Sequence, residues 1–143
     1  MRVELKNNIE EINRLCDVVE DFCKKNDIEY KYPEVALILD EMATNIINYA
    51  YPDGKLHDFY LEIEKKDQHL NLKLVDSGVE FDPLKNDVAD TESDLEDRPV
   101  GGLGIFLVKQ LSESVEYERK DEKNHLFIKV NLQKGEEEDG SKE

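Results

Sequence analysis

The sequence is poor in several residue types, and each scarcity argues against a class of protein. Its 143 residues include only two Cys. There are 19 Lys and Arg residues against 35 Asp and Glu residues, which gives a formal net charge of -16. This acidity argues against binding to duplex nucleic acid or to an anionic membrane. No apolar run approaches the roughly 18 residues of a membrane span, and the first residues lack a signal-peptide core. We expect one domain in the cytoplasm, without direct nucleic-acid or membrane contact.

The two cysteines do not predict a disulfide. Cys16 and Cys23 are seven residues apart in one predicted helix, so their Cα atoms lie roughly 10 Å apart along its axis. A disulfide needs a Cα separation below about 7 Å. We expect free thiols that pack as small apolar residues.

Apolar periodicity predicts a two-layer α/β protein. The predicted order is β-α-α-β-β-loop-α-β-β, with the middle strand pair forming an antiparallel hairpin. This order favours an α/β two-layer sandwich with the helices stacked on one sheet face. The predicted strands cover 2–6, 58–64, 69–75, 115–119 and 125–132, and the helices cover 7–26, 33–51 and about 101–112. A polar loop from Asp82 to Arg98 carries seven acidic and two basic residues, and such loops are functional or disordered.

The second helix carries a narrow polar stripe on an otherwise apolar surface. Glu41, Asn45 and Asn48 lie at i, i+4 and i+7, which places them on one helix face. Asn is costly to bury without hydrogen-bond partners. Two interpretations stay open: a stripe that faces solvent, or a stripe covered by a ligand or metal ion.

A second motif, Asp76-Ser77-Gly78, follows the third predicted strand. An Asp-x-Gly turn is common and needs no ligand. Alternatively, Asp76 accepts a hydrogen bond from the amino group of a ligand, and Gly78 lets that ligand approach the backbone. The motif alone does not decide between these interpretations.

A third motif is the glycine-rich run Gly101-Gly102-Leu103-Gly104-Ile105 at the start of the third helix. Free N–H groups and the helix dipole make such a start suitable for a phosphate group. The alternative is a flexible hinge. The run is not a P-loop, because no G-x-x-x-x-G-K-[ST] pattern occurs in the chain.

Taken in this order, the three motifs resemble the nucleotide-binding boxes of the Bergerat-fold (GHKL) ATPases. The segments DEMATNIINYAY, VDSGVEFDP and GGLGIFLVKQLSESVEY resemble, within that superfamily, the anti-sigma regulatory factor family of serine-protein kinases. The resemblance spans about residues 1–133 and implies a mixed, mainly antiparallel sheet with three helices on one face. The remaining residues, 134–143, are expected to form an acidic disordered tail.

The resemblance assigns roles to individual residues. It implies that Asn45 coordinates Mg²⁺ through its side-chain oxygen, as suits a hard cation. Glu41 is the implied general base or water-orienting carboxylate. Asp76, with Gly78 beside it, is the implied acceptor for the adenine amine. The other implied nucleotide-binding residues are Asn48, Gly101, Gly102, Leu103, Gly104 and Ile105.

The resemblance also implies an ATP lid over about 84–100. Arg98 stands where the family can carry an arginine that meets the γ-phosphate or the partner, and we count it as a candidate catalytic residue. Its alternative is an ordinary surface pair with Glu96 or Asp97.

Two positions depart from the family pattern. Tyr49 stands where the family often has His, and Glu80 stands where it often has Gly.

The implied function is a Mg²⁺-ATP-dependent serine-protein kinase. Its implied partners are an anti-anti-sigma (STAS-type) antagonist protein, which it phosphorylates, and a sigma factor, which it sequesters. A homodimer formed through the sheet is also implied. Two alternatives are a non-catalytic ATP-dependent protein-binding switch and a scaffold that binds no nucleotide. A histidine-kinase interpretation fails, because the helix at 7–26 carries no phosphoacceptor His.

Overall fold

The computed structural model describes residues 1–86 and 102–134, and it has the predicted order of elements. Apart from short 3-10 and π segments, the described residues form elements in the order β-α-α-β-β-α-β-β, as the periodicity indicated. The strands are β1 (Arg2–Lys6), β2 (Asp58–Lys66), β3 (His69–Asp76), β4 (Ser114–Lys120) and β5 (Lys123–Asn131). The helices are α1 (Glu11–Lys25), α2 (Tyr32–Asn45) and α3 (Gly102–Leu111).

The five strands form one sheet in the order β1-β2-β3-β5-β4. All four described pairings are antiparallel, which corrects the expectation of a mixed sheet. The reason lies in the last hairpin. It places β5, not β4, beside β3, and β5 runs opposite to β3.

Alternation along the strands separates a core face from an outer face. Leu61 faces Leu74 across β2 and β3, and Leu74 faces Leu126 across β3 and β5. These leucines are almost fully buried, as are Ile38 and Val108 from the helices above them. One apolar core therefore joins the helices to one face of the sheet, which is the predicted two-layer sandwich.

Both hairpins are tighter than the sequence suggested. Asp67 lies in the left-handed region at a φ of 56°, and the β2–β3 turn shrinks to residues 67–68. Asp121 and Glu122 have φ values of 55° and 61° and connect β4 to β5. Such two-residue turns match the twist of antiparallel strands.

The cysteines are free thiols as predicted, with Cys16 half-buried and Cys23 buried. In the part of the chain that the structure describes, no helix is long and apolar enough to cross a membrane.

Candidate functional site

A small cavity lies between the C-terminal part of α2 and the end of β3. Its volume is about 20 Å³, enough for one water molecule. It brings together Asn45 from the first motif and Asp76 from the second, which are 31 positions apart in sequence. The lining residues are Met42, Asn45, Ile46, Ala50, Leu74, Asp76, Phe81, Pro83, Tyr117, Asn124 and Leu126.

Asn45 lines this cavity from the last turn of α2, and the residue is 6% exposed. Among the described residues, Nε2 of His125 is the one buried side-chain polar atom without a hydrogen-bond partner, so the Asn45 amide is not an orphaned group. The burial of Asn45 argues against the solvent-facing interpretation of the stripe at this residue. Its oxygen fits the hard-ligand chemistry of Mg²⁺; no cluster of three or more His, Cys, Asp or Glu among residues 1–86 and 102–134 offers another metal site.

The stripe ends after Asn45 because the helix changes its period. Residues Ile46–Ala50 form a π turn, in which hydrogen bonds join residues five apart. The wider turn rotates later side chains away from the positions that an α-helical period predicts. Asn48 is exposed and does not line the cavity, so the structure does not bring it to Asn45.

Asp76 lies at the end of β3, and one of its two carboxylate oxygens accepts hydrogen bonds from described residues while the other does not. The carboxylate is 5% exposed, and burial raises its pKa against the lowering effect of its hydrogen bonds. Oδ1 accepts hydrogen bonds from the Asn124 amide at 2.8 Å and from the Gly78 N–H at 2.9 Å. No described residue donates to Oδ2, which leaves an acceptor for a ligand amine.

Gly78 packs closely against the end of the π turn. A Cβ at this position would lie 2.2 Å from the Ala50 carbonyl oxygen and 2.6 Å from the Ala50 Cβ. The neighbouring Val79 N–H donates to the same carbonyl at 2.8 Å. Gly78 therefore lets the end of the π turn pack on the loop after β3, and its expected closeness to a ligand stays a prediction.

Glu41 lies against the start of α3. A Cβ on Gly104 would come within 2.0 Å of the Glu41 Oε1 atom, so the carboxylate occupies the space that this glycine leaves open. Burial raises the pKa of Glu41, and the charge of Asp40 adds to the effect. The structure thus joins the first and third motifs through this contact.

The glycine-rich motif begins α3 at Gly102, as predicted. Ile105 is 1% exposed and belongs to the hydrophobic core, so only its backbone is available for the expected contact with a nucleotide. Leu103 also lies in the first turn of α3. The predictions for Gly101 and Arg98, and for most of the lid, fall outside the described residues.

Asn124 is a site residue that the sequence reasoning missed. It is 5% exposed, faces Asp76 across β3 and β5, and lines the cavity. The signal was its position: it shares the core-facing side of β5 with Leu126 and Ile128, where a polar residue is unexpected. Tyr117 was missed as well, and its hydroxyl donates to the Asn124 oxygen at 2.5 Å.

The two departures from the family pattern have simple structural settings. The ring of Tyr49 stacks on Phe81, with centroids 5.4 Å apart, so it holds the π turn against the loop after β3. Glu80 is exposed and does not line the cavity.

Comparisons with known proteins identify the family of the domain. The sequence model of the histidine kinase-like ATPase domain matches residues 5–130. Over 94 residues the chain is 27% identical to the serine/threonine-protein kinase BtrW of Bordetella bronchiseptica, and the alignment covers 66% of each protein.

Two solved structures are similar in shape. The histidine kinase domain of a blue-light activated histidine kinase from Erythrobacter litoralis has a TM-score of 0.51 at 13% identity, covering 87% of this chain and 60% of that one. The histidine kinase AdeS of Acinetobacter baumannii has a TM-score of 0.48 at 19% identity, covering 92% and 68%. The first likeness shows the fold. Because the family match spans most of its length, the chain belongs to the histidine kinase-like (GHKL) ATPase domain family of ATP-binding domains.

Proposed function

We propose that this chain is a Mg²⁺-ATP-dependent protein serine kinase of the anti-sigma regulatory type. The observation that carries the proposal is the cavity that Asn45 and Asp76, two buried polar residues from different motifs, line together. The name of the relative BtrW, a serine/threonine-protein kinase, supports the reaction class. The proposed substrate is a STAS-type anti-anti-sigma antagonist, and the proposed sequestered partner is a sigma factor.

Each site residue has a defined task in this proposal. Asp76 accepts the exocyclic amine of adenine through Oδ2. Asn45 offers its amide oxygen to Mg²⁺, and Glu41 takes the proton of the attacking serine hydroxyl. A base with a raised pKa binds that proton more strongly, so the burial of Glu41 suits the task. Bound ATP would supply the γ-phosphoryl group and leave as ADP, and the bound Mg²⁺ would neutralise negative charge on the phosphates.

The start of α3 completes the proposed site. The backbone N–H groups at Gly102, Leu103 and Gly104 lie in the first turn of this helix, where such groups favour an anion. We propose that they bind phosphate together with Gly101, and that Arg98 meets the γ-phosphate or the partner.

Binding of Mg²⁺-ADP tests the proposed cavity directly. Isothermal titration calorimetry should show one site per chain in the unmodified protein. Asp76→Asn replaces one acceptor oxygen of the carboxylate with an NH₂ donor. We expect the affinity for Mg²⁺-ADP to fall at least about tenfold. Asp67→Asn is the matched control, because Asn tolerates the left-handed backbone of that distant turn. Absence of binding, or unchanged affinity in Asp76→Asn, would contradict the proposal.

A second candidate function is an ATP-dependent switch without phosphoryl transfer. The narrow cavity favours it, because Phe81 and Pro83 line the wall and must move before a nucleotide base can enter. Such a movement would couple nucleotide binding to the segment that leads into residues 84–100.

Glu41→Gln separates the two functions. The kinase proposal expects Mg²⁺-ADP binding to persist while transfer of the γ-phosphoryl group to a STAS-type antagonist is lost. Glu29→Gln, in the exposed turn before α2, is the control. If Glu41→Gln still transfers phosphate at the normal rate, the proposed base is wrong. If Glu41→Gln loses transfer but still regulates its partner, the switch is favoured.

We also propose that two copies pair through the outer face of the sheet. This face forms a trough of about 670 Å³ with Phe127 exposed within it. Three basic and three acidic side chains line it: Arg2, Lys73, Lys129, Glu62, Glu64 and Glu116. In a chain of net charge -16, such a balanced face lets two copies approach without strong repulsion.

Light scattering tests this pairing. Phe127→Glu should shift the protein from dimer to monomer, because it places a charge inside the proposed interface. Phe106→Glu is the matched control, since Phe106 is also exposed, at 43% against 36% for Phe127, but lies on α3, in the helical layer. A monomeric unmodified protein, or a dimer that resists Phe127→Glu, would contradict the proposal.

A further inference from the structure

The side chain of Asn124 is fully committed to hydrogen bonds in a single orientation. Its two amide hydrogens go to the Asp76 Oδ1 atom and to the Val79 carbonyl, each at 2.8 Å. Its oxygen receives the Phe81 N–H at 3.2 Å, the Tyr117 hydroxyl at 2.5 Å and the Arg119 guanidinium at 3.2 Å. Every donor and acceptor of the amide is therefore used.

This arrangement excludes the flipped amide. A flip would turn the oxygen towards the Asp76 carboxylate and the Val79 carbonyl, and the nitrogen towards the Phe81 N–H and the Arg119 guanidinium, which can only donate. Arg119 also donates to the Gly78 carbonyl at 2.8 Å, which fixes its guanidinium in place. The network consequently has one polarity, with N–H groups pointing at Asp76.

The polarity determines what Asp76 can recognise. Because Asn124 and Gly78 both donate to Oδ1, that oxygen is occupied, and the two hydrogen bonds favour the ionised form of the carboxylate, which only accepts. Asp76 lines the cavity, and its Oδ2 atom is left as an acceptor. A ring with an amine at this point gains a hydrogen bond, whereas a ring with a keto oxygen there meets a second acceptor and is repelled.

We propose that Asn124 is the positioning residue that makes this cavity select a purine with an exocyclic amine over one with a keto group. The inference rests on the proposed nucleotide binding. Asn124 acts through Asp76 and does not itself contact the base. The same amide also forms hydrogen bonds with the backbone of Val79 and Phe81, in the loop that supplies one wall of the cavity.

The test compares Mg²⁺-ADP with Mg²⁺-IDP, which carries a keto oxygen in place of the amine. In the unmodified protein we expect ADP to bind at least about tenfold more tightly than IDP. Asn124→Asp keeps the shape and the acceptor oxygen but places a carboxylate against Asp76. Two adjacent carboxyl groups share a proton, and one of them then becomes a donor. We expect ADP affinity to fall and the ADP-to-IDP preference to drop at least about tenfold.

Asn124→Ala is the second variant, because it adds no charge and so has the better prospect of folding. It should also reduce the preference, by weakening ADP more than IDP. Asn8→Asp and Asn8→Ala, at the exposed turn before α1, are the controls and should keep the original preference. Circular dichroism and thermal melting establish that each variant is folded.

The outcomes separate the two proposals. Equal weakening of ADP and IDP, or an unchanged preference, in a folded Asn124 variant overturns the role of Asn124 and leaves the nucleotide site intact. Failure of the unmodified protein to bind either nucleotide overturns the proposed function, and this inference with it.

Discussion

Gly104→Ala should separate catalysis from stability. The new Cβ would lie 2.0 Å from the Glu41 Oε1 atom and 2.7 Å from its Cδ atom. Both atoms belong to the end of a flexible side chain, so we expect the carboxylate to move aside while the backbone stays in place. The proposed base would then be displaced in a folded protein.

The structure gives the expected magnitudes. Ala is favoured over Gly inside a helix by about 1 kcal/mol, and forcing Glu41 into another rotamer costs about 0.5–1.5 kcal/mol. These effects oppose each other, so the free energy of unfolding should change by less than about 1 kcal/mol. Loss of a general base lowers the rate of phosphoryl transfer by about 10²–10⁴-fold.

The assay is transfer of labelled γ-phosphate to a STAS-type antagonist, with urea unfolding measured alongside. Gly104→Ala should reduce transfer to the level of Glu41→Ala, and the double variant should be no slower than either single variant. Affinity for Mg²⁺-ADP should stay within about threefold of the original, a change of less than 1 kcal/mol. Normal transfer in Gly104→Ala, or a further loss in the double variant, would refute the reasoning.

Three further predictions concern stability and reactivity. Gly78→Ala should lower the free energy of unfolding by about 1–3 kcal/mol in urea melts, because its Cβ would overlap the Ala50 backbone; a neutral effect would contradict this close packing. Hydrogen bonds from Arg14 and from the Lys6 N–H lower the pKa of Glu11 from 4.5 to about 2. The stabilisation that ionised Glu11 gives to the folded state is therefore present above pH 4.5 and lost as the pH falls through about 2. Glu11→Gln should lower the free energy of unfolding by at most about 1 kcal/mol at pH 7 and leave it unchanged below about pH 2. Burial raises the pKa of Cys23 to about 11, so thiol labelling at pH 8 should be at least about 100-fold slower in the folded protein than in urea.

Much of the fold follows from local patterns. The alternation of Phe59, Leu61 and Ile63 predicted β2, and the structure extends that strand only to Lys66. The 3,4 spacing of Ile9, Ile12, Cys16, Val19 and Cys23 predicted α1. The buried residues of that helix are Leu15, Val19 and Cys23. Such patterns succeed because burial of one face dominates the choice of secondary structure.

The sequence-based predictions failed where contacts between residues far apart in the sequence determine the local structure. The π turn at Ile46–Ala50 has no local composition signal; it accompanies the close packing of Ala50 on Gly78 and of Tyr49 on Phe81. The role of Asn124 depends on its register with Asp76, which lies 48 positions earlier in the sequence.

The candidate site was predicted in outline. The structure brings Asn45 and Asp76 to one cavity and places Glu41 on Gly104, as three motifs that act together would require. It leaves Asn48 on the surface and turns the side chain of Ile105 into the core. These two differences share a cause, because a motif fixes the order of residues along the chain but not the direction of each side chain.

A crystal structure of the chain with Mg²⁺-ADP tests the central claim most directly. The account predicts the adenine amine within hydrogen-bond distance of the Asp76 Oδ2 atom, the metal ion on the Asn45 oxygen, and phosphates at the start of α3. A nucleotide bound elsewhere, or a base that turns its amine away from Asp76, would contradict it.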